Sequence, residues 1–180
     1  MAHIFAGLAR LASRADLPVQ AAAVCYRQNG SSVEFLLVKT SSGKWTFPKG
    51  RLNPSMSASE SAAREAWEEA GARGQIAKKH FGSYVDTKRT LGHDSRACEV
   101  RILTYLLEVY NTVAPEETGR YPTWYEAREA KKRLAEGRAA IYGKLIANIV
   151  DAALENLPKQ QGKRSRVLAR SRGQRLAPVR

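Results

Sequence analysis

Cysteine, histidine and long apolar runs are all scarce in this chain, and each scarcity closes off a class of protein. Two cysteines (Cys25 and Cys98) in 180 residues are too few for a disulfide framework. Three histidines, with no CxxC or HxxxH spacing, give no support to a structural zinc site. No uncharged stretch approaches the roughly 20 apolar residues that cross a bilayer, and even "AAAVCY" is bounded by Gln20 and Arg27. Both cysteines lie in apolar segments and are expected to be buried, reduced thiols, which points to a cytoplasmic protein with no membrane contact. The opening "MAHIFAGLARLASRADLP" reads as an amphipathic segment, not a targeting peptide, because Arg10 and Arg14 interrupt its apolar part.

Negative charge is also the minority. Against 30 Lys and Arg there are 17 Asp and Glu, a formal net charge of +13, and such a surface concentrates anions around it. The excess is uneven. Residues 158 to 180, "PKQQGKRSRVLARSRGQRLAPVR", hold eight basic residues and no acidic one, so +5 of the +13 remains for the rest. This tail lacks aromatics and apolar periodicity, and it reads as a solvated extension open to nucleic acid contact. The division expected is an N-terminal segment (1–17), one domain (18–157) and the basic tail (158–180), with a 43% hydrophobic composition sufficient for a single core.

Within the domain, "VQAAAVCYR" and "VEFLLVK" read as strands joined by the turn-like "QNGSS". "IAKKHFGSYVD" and "CEVRILTYLLEVY" read as further strands, the second apolar enough to be central, with the basic loop "TKRTLGHDSRA" between them. "TWYEAREAKKRLAEG" and "RAAIYGKLIANIVDAALENL" read as helices. Strands before and after one central helix, with helices following, imply a layered α/β (α+β) domain.

The central helix is the anomaly. In "FPKGRLNPSMSASESAAREAWEEAG", Ser57 and Glu60 fit a capping box and Gly71 a stop, so a helix is expected over Ala58 to Ala70. At about 100° per residue, Glu65, Glu68 and Glu69 share a face while Trp67, Ala63 and Ala70 fall opposite, on the expected core side. Like charges at this spacing repel. Arg64, four residues after Glu60, is expected to stack with it, leaving the three carboxylates in need of a cation. Gly50 opens a backbone turn whose carbonyl can face the helix, and magnesium favours carbonyl and carboxylate oxygens together.

These residues resemble the Nudix box, G-x5-E-x7-R-E-U-x-E-E-x-G-U with U apolar. Gly50, Arg64, Glu65, Ala66, Glu68, Glu69, Gly71 and Ala72 take eight of its nine fixed places, and Met56 stands where the box has its first glutamate. In the family that glutamate helps to hold the loop against the helix. Here Glu60 either supplies the lost carboxylate or is simply a capping residue. The resemblance implies an α/β/α sandwich with a mixed central sheet, and a hydrolase dependent on Mg2+, with Mn2+ as a substitute, that cuts a diphosphate linkage. By position, Glu65, Glu68 and Glu69 with the Gly50 carbonyl are implied metal ligands. Glu68 is a ligand or the base, Arg64 is the other implied catalytic residue, and Glu99 and Glu108 are alternative bases.

The likeness extends outward. "WTFPKG" is similar to the entrance of Nudix enzymes acting on dinucleoside or diphosphoinositol polyphosphates, and "TGRYPTWYEAREAKKRL" is similar to a segment of diphosphoinositol polyphosphate phosphohydrolases. It implies a small anionic phosphorylated substrate met by Arg27, Lys49, Arg51, Arg120 and Arg138. Gln20 replaces an arginine of that subfamily, which counts against a very highly charged inositol substrate. Trp45 and Trp124 are base-stacking candidates or packing residues, and Trp67 is expected in the core. The other readings are removal of pyrophosphate from RNA 5′ ends, prompted by the tail, and a non-catalytic nucleotide- or RNA-binding domain, prompted by Met56. Monomer and homodimer are both open.

Overall fold

The computed structural model describes residues 17–89 and 97–158. The N-terminal segment, the basic tail beyond 158 and most of the basic loop "TKRTLGHDSRA" lie outside the described residues.

Eight strands form one mixed sheet: β1 (Val19–Asn29), β2 (Ser32–Lys39), β3 (Trp45–Thr46), β4 (Lys49–Arg51), β5 (Ala72–Ile76), β6 (Gly82–Arg89), β7 (Ala97–Thr112) and β8 (Thr123–Glu126). Three helices among the described residues complete it: α1 (Ala58–Ala70), α2 (Ala127–Ala135) and α3 (Ala140–Asn156). The spine runs β3-β2-β1-β7-β5, with β4 added to β1, β6 to β7 and β8 to β2. Among the described residues only the β1–β7 pairing is parallel; Val19 to Tyr26 lie alongside Arg101 to Glu108. From Gln20 to Tyr26 every side chain of β1 is buried, as an almost unbroken apolar run requires of a strand covered on both faces.

Alternation along β1 divides the core in two. Ala21, Ala23 and Cys25 face α1, meeting Ala62, Ala66 and Ala70. Ala22, Val24 and Tyr26 face α2 and α3, in a larger cluster with Phe35, Phe47, Ile102, Leu134 and Ile149. Helices therefore cover both faces of the sheet, as the resemblance implied.

The structure corrects several expectations. The hairpin loop is Gly30–Ser31, with Asn29 still paired to Ser32. The segment from Ala77 to Phe81 is not a strand; β6 begins at Gly82, and the polar "ARGQI" forms β5 instead. "TWYE" is not helical, because it pairs with β2 as β8 and the helix starts only at Ala127. Cys25 is buried as expected, but Cys98, near the outer end of β7, is exposed. Among the described residues no helix is long and apolar enough to cross a membrane.

Candidate active site

Helix α1 has the bounds its caps predict. Ser57 accepts from the Glu60 N–H, the Glu60 carboxylate accepts from the Ser57 N–H at 2.8 Å, and Gly71 ends the helix in the left-handed region at φ 61°. The capping box answers the question over Glu60: it is a capping residue, also accepting from the Ser57 hydroxyl at 2.7 Å. Arg64 consequently does not stack with Glu60 but pairs with Glu68, Nε to Oε1 at 2.7 Å. The core stripe is also displaced from the side expected. Ser59, Ala62, Ala66 and Ala70 are buried, whereas Ala63 and Trp67 are only half-buried. Alanines let the helix lie close to β1, and that approach brings Glu69 under cover along with them.

Strand β4 receives these carboxylates. It runs antiparallel to the start of β1, with Lys49 opposite Ala22, Gly50 opposite Ala21 and Arg51 opposite Gln20. The backbone N–H of Lys49 donates to Glu69 Oε2 at 3.1 Å. Glu65 lies against the Cα of Gly50 so closely that a Cβ there would overlap its carboxylate and push that side chain aside. With Met56 exposed, the loop between β4 and α1 is tied to the helix by the Ser61 hydroxyl, which accepts from the Asn53 N–H at 3.1 Å.

The segment leading to Arg120, whose Glu117 the sequence reading did not connect to this site, closes it. After β7 the chain passes over the end of α1, with Val113 N–H donating to Gly71 O and Glu117 N–H to Glu68 O at 2.9 Å. The indole of Trp67 donates to Glu116 at 2.7 Å, under a stacked Arg73 guanidinium. Arg120 follows, between Gly119 at φ 75° and Tyr121 at φ 49°, a conformation rare for a tyrosine. Its Nη2 reaches Glu69 Oε1 at 2.7 Å and Glu117 Oε2 at 2.6 Å, while its Nε donates to Glu117 Oε2 at 2.7 Å.

The cluster is thus four carboxylates, Glu65, Glu68, Glu69 and Glu117, against the guanidinium groups of Arg64 and Arg120. Burial, followed by the charges of Glu69, Glu68 and Glu117, pushes the Glu65 carboxyl up to about 7. Burial also raises Glu69, with Arg120 and Lys49 opposing the rise. Among the described residues no three carboxylate, histidine or cysteine groups form a ready-made metal cage. The donor set is nonetheless one of hard oxygens with uncompensated charge, and it suits a hard divalent cation.

Beside the cluster opens a cleft of about 680 Å³, lined by Lys44, Lys49, Glu69, Asp86, Arg120 and Arg138. The structure therefore brings together Gly50, Glu65, Glu68, Glu69, Arg64, Lys49, Arg120 and Arg138 of the residues singled out from sequence. Arg138 is held by the Leu134 carbonyl at 2.7 Å, and its burial lowers its pKa. Arg51, next to Gly50, is exposed. Arg27 lies elsewhere, five residues or about 16 Å along β1 from the partner of Lys49, paired with Glu34 at 2.7 Å and stacked on Trp124. Glu99 is exposed near the start of β7, and Glu108 accepts from the Tyr110 hydroxyl at 3.4 Å. Trp45 packs edge-on against Tyr125, and Trp124 against the α1-side cluster. Glu117, Lys44 and Asp86 were missed. "EETGR", joining acid to a phosphate-type arginine, was the one local signal for Glu117.

A profile of the NUDIX domain family matches residues 16–145. Among solved structures, a Caenorhabditis elegans Ap4A hydrolase in a binary complex is similar at 22% identity and TM-score 0.56, covering 77% of this chain and 96% of its own. The NUDIX domain of Shewanella oneidensis NrtR, complexed with ADP ribose, is similar at 15% identity and TM-score 0.57, covering 79% and 89%. A NUDIX hydrolase from Nitrosomonas europaea is similar at 22% identity and TM-score 0.56, covering 80% and 94%.

Proposed function

This chain belongs to the NUDIX domain family, and on that premise we propose that it is a magnesium-dependent pyrophosphohydrolase. Its substrate would be a small polyphosphorylated molecule, a dinucleoside polyphosphate or a diphosphoinositol polyphosphate. The observation that carries the reading is the meeting of the α1 carboxylates with a cleft lined by Lys44, Lys49, Arg120 and Arg138. Carboxylates without cations would repel a phosphate, and cations alone would bind one without cutting it. The likeness of fold to an Ap4A hydrolase and to a domain holding ADP ribose is in keeping with such a substrate.

Glu65, Glu68 and Glu69, with the Gly50 carbonyl, would hold the divalent ion. When bound, such an ion neutralises phosphoryl oxygens and lowers the pKa of water at neutral pH. The chain's own contributions are distinct. Gly50 leaves room for the Glu65 carboxylate against β4. The Lys49 N–H fixes one oxygen of Glu69 and so sets the direction of the other. Glu68, its side chain 22% exposed and one oxygen paired with Arg64, would accept a proton from an attacking water. Lys44, Lys49, Arg120 and Arg138 orient the substrate's phosphates and take up charge that grows on the leaving group.

The experiment is a panel of diphosphate compounds incubated with the full chain and Mg2+ or Mn2+, with products read by mass. Turnover of at least one is expected, and Glu68→Gln or Glu69→Gln should each lower it by about a hundredfold to a thousandfold. Turnover that survives both changes, or that needs no divalent ion, sinks the assignment. Should RNA 5′ ends prove the better substrate, deleting residues 158–180 should weaken binding and flatten its salt dependence.

A further inference from the structure

We propose that Arg120 and a divalent cation compete for one atom, Oε1 of Glu69, and that Glu117 settles the competition by retaining Arg120 when it leaves. The inference rests on the metal-binding reading above and goes beyond it by assigning the site its own internal counter-ion.

The two oxygens of Glu69 are not equivalent. Oε2 accepts from the Lys49 backbone, in a strand fixed on β1, and nothing needs to move for that bond to persist. Oε1 is held only by a side chain, the Arg120 guanidinium, at 2.7 Å. An oxygen facing a guanidinium at that distance has no room for a divalent ion on the same side. Glu69 is 4% exposed, so its charge does not go unpaired without cost, and a cation of one kind or the other is needed.

Arg120 has somewhere to go. Glu117 already binds it twice through Oε2, at Nε and at Nη2. Glu117 is in turn anchored through its N–H to the Glu68 carbonyl, one residue from Glu69. Release of Glu69 therefore costs Arg120 one partner of three, since Glu117 and the Lys39 carbonyl remain, and Arg120 itself lines the substrate cleft. The Arg120 carbonyl accepts from the Lys39 N–H at 2.6 Å and its Nη1 donates to the Lys39 carbonyl at 3.4 Å, ties to β2 that hold the residue in place in either pairing. Glu117 is a positioning residue in this scheme; it acts on the site through Arg120.

The test is Mn2+ binding to the full chain with no phosphate compound present, read by the electron paramagnetic resonance signal of free Mn2+. Arg120→Gln should bind Mn2+ about three- to tenfold more tightly than the unaltered protein, and Glu117→Gln should bind it more weakly by a similar factor. Arg51→Gln removes a neighbouring charge with no tie to Glu69 and should change affinity by less than about twofold. Arg120→Lys, which cannot bridge two carboxylates as a guanidinium does, should also bind Mn2+ more tightly and carries the test if the glutamine variant misfolds. Unchanged or weaker binding in the Arg120 variants overturns the inference, as does equal tightening in Arg51→Gln, which would mean a general field and no contact. Failure of the unaltered protein to bind Mn2+ overturns the metal reading itself.

Discussion

The two faces of the sheet are built on different scales. On the α2 and α3 side the core is bulky, with Phe35, Phe47, Tyr84, Ile102, Leu134 and Ile146 filling the space between layers. On the α1 side Leu36, Val38, Tyr105 and Leu107 are also buried, but the contact of the helix with β1 is thin: Ala62, Ala66 and Ala70 meet Ala21, Ala23 and Cys25. Bulk stabilises more, since apolar burial counts by area. Thinness does something else, because a helix seated that close can lay Glu65 on β4 and bond Glu69 to the Lys49 backbone. One face supplies stability, and the other supplies distance.

Breaking the bulky face should have the largest effect on folding and the least on chemistry. Phe35→Ala is expected to cost about 3–5 kcal/mol, read by denaturant titration, while turnover per folded molecule stays near its original value. Ala66→Leu attacks the thin face. Overpacking should cost about 1–3 kcal/mol, and turnover should fall further than that loss explains, because α1 is lifted away from β4. Equal losses of stability and activity in both variants would erase the distinction between the faces.

The smallest effect is a pH dependence confined to the thin face. Glu65 titrates near 7 in the folded protein against 4.5 for a free glutamate, so the folded state holds the extra proton between those values. Its contribution to metal-free stability is full below pH 4.5 and is lost as pH rises through 7. Glu65→Gln, which mimics the protonated form, should match the original below pH 4.5. Above pH 7 it should be more stable by about 1 kcal/mol, screening of a half-buried group being allowed for. Glu34 and Glu60, whose pKa values are lowered by hydrogen bonds, have the opposite pH dependence and cancel in this comparison. Melting curves with and without Mg2+ sharpen the point further, since bound ion should reverse the order of the two proteins above pH 7.

What the sequence made legible followed from local rules. The bounds of α1 came from Ser57, Glu60 and Gly71, residues whose bonds reach at most a few positions. The long strands came from apolar runs that only a doubly covered sheet accommodates. The missed strands were decided by distant partners. "ARGQI" and "TWYE" are too polar or too short to announce strands, and become such by pairing with β7 and β2. Angular arithmetic put Trp67, Ala63 and Ala70 on the core side of α1; the sheet took Ala62, Ala66 and Ala70, whose small side chains let the helix sit close. Glu60 and Glu68 stand equally far from Arg64 along the helix, and the cap claimed Glu60 first. Glu117 became visible only when the path of the chain over the end of α1 was known.

That helix ends at Gly71, two residues past Glu69, with no basic residue in its last turn. Aligned peptide units leave about half a negative elementary charge at a helix C-terminus. In a first turn the same glutamates would have been soothed by the opposite pole. Here the main chain adds its own negative potential to theirs, so an arriving cation would be drawn by the backbone's polarity as well as by the side chains.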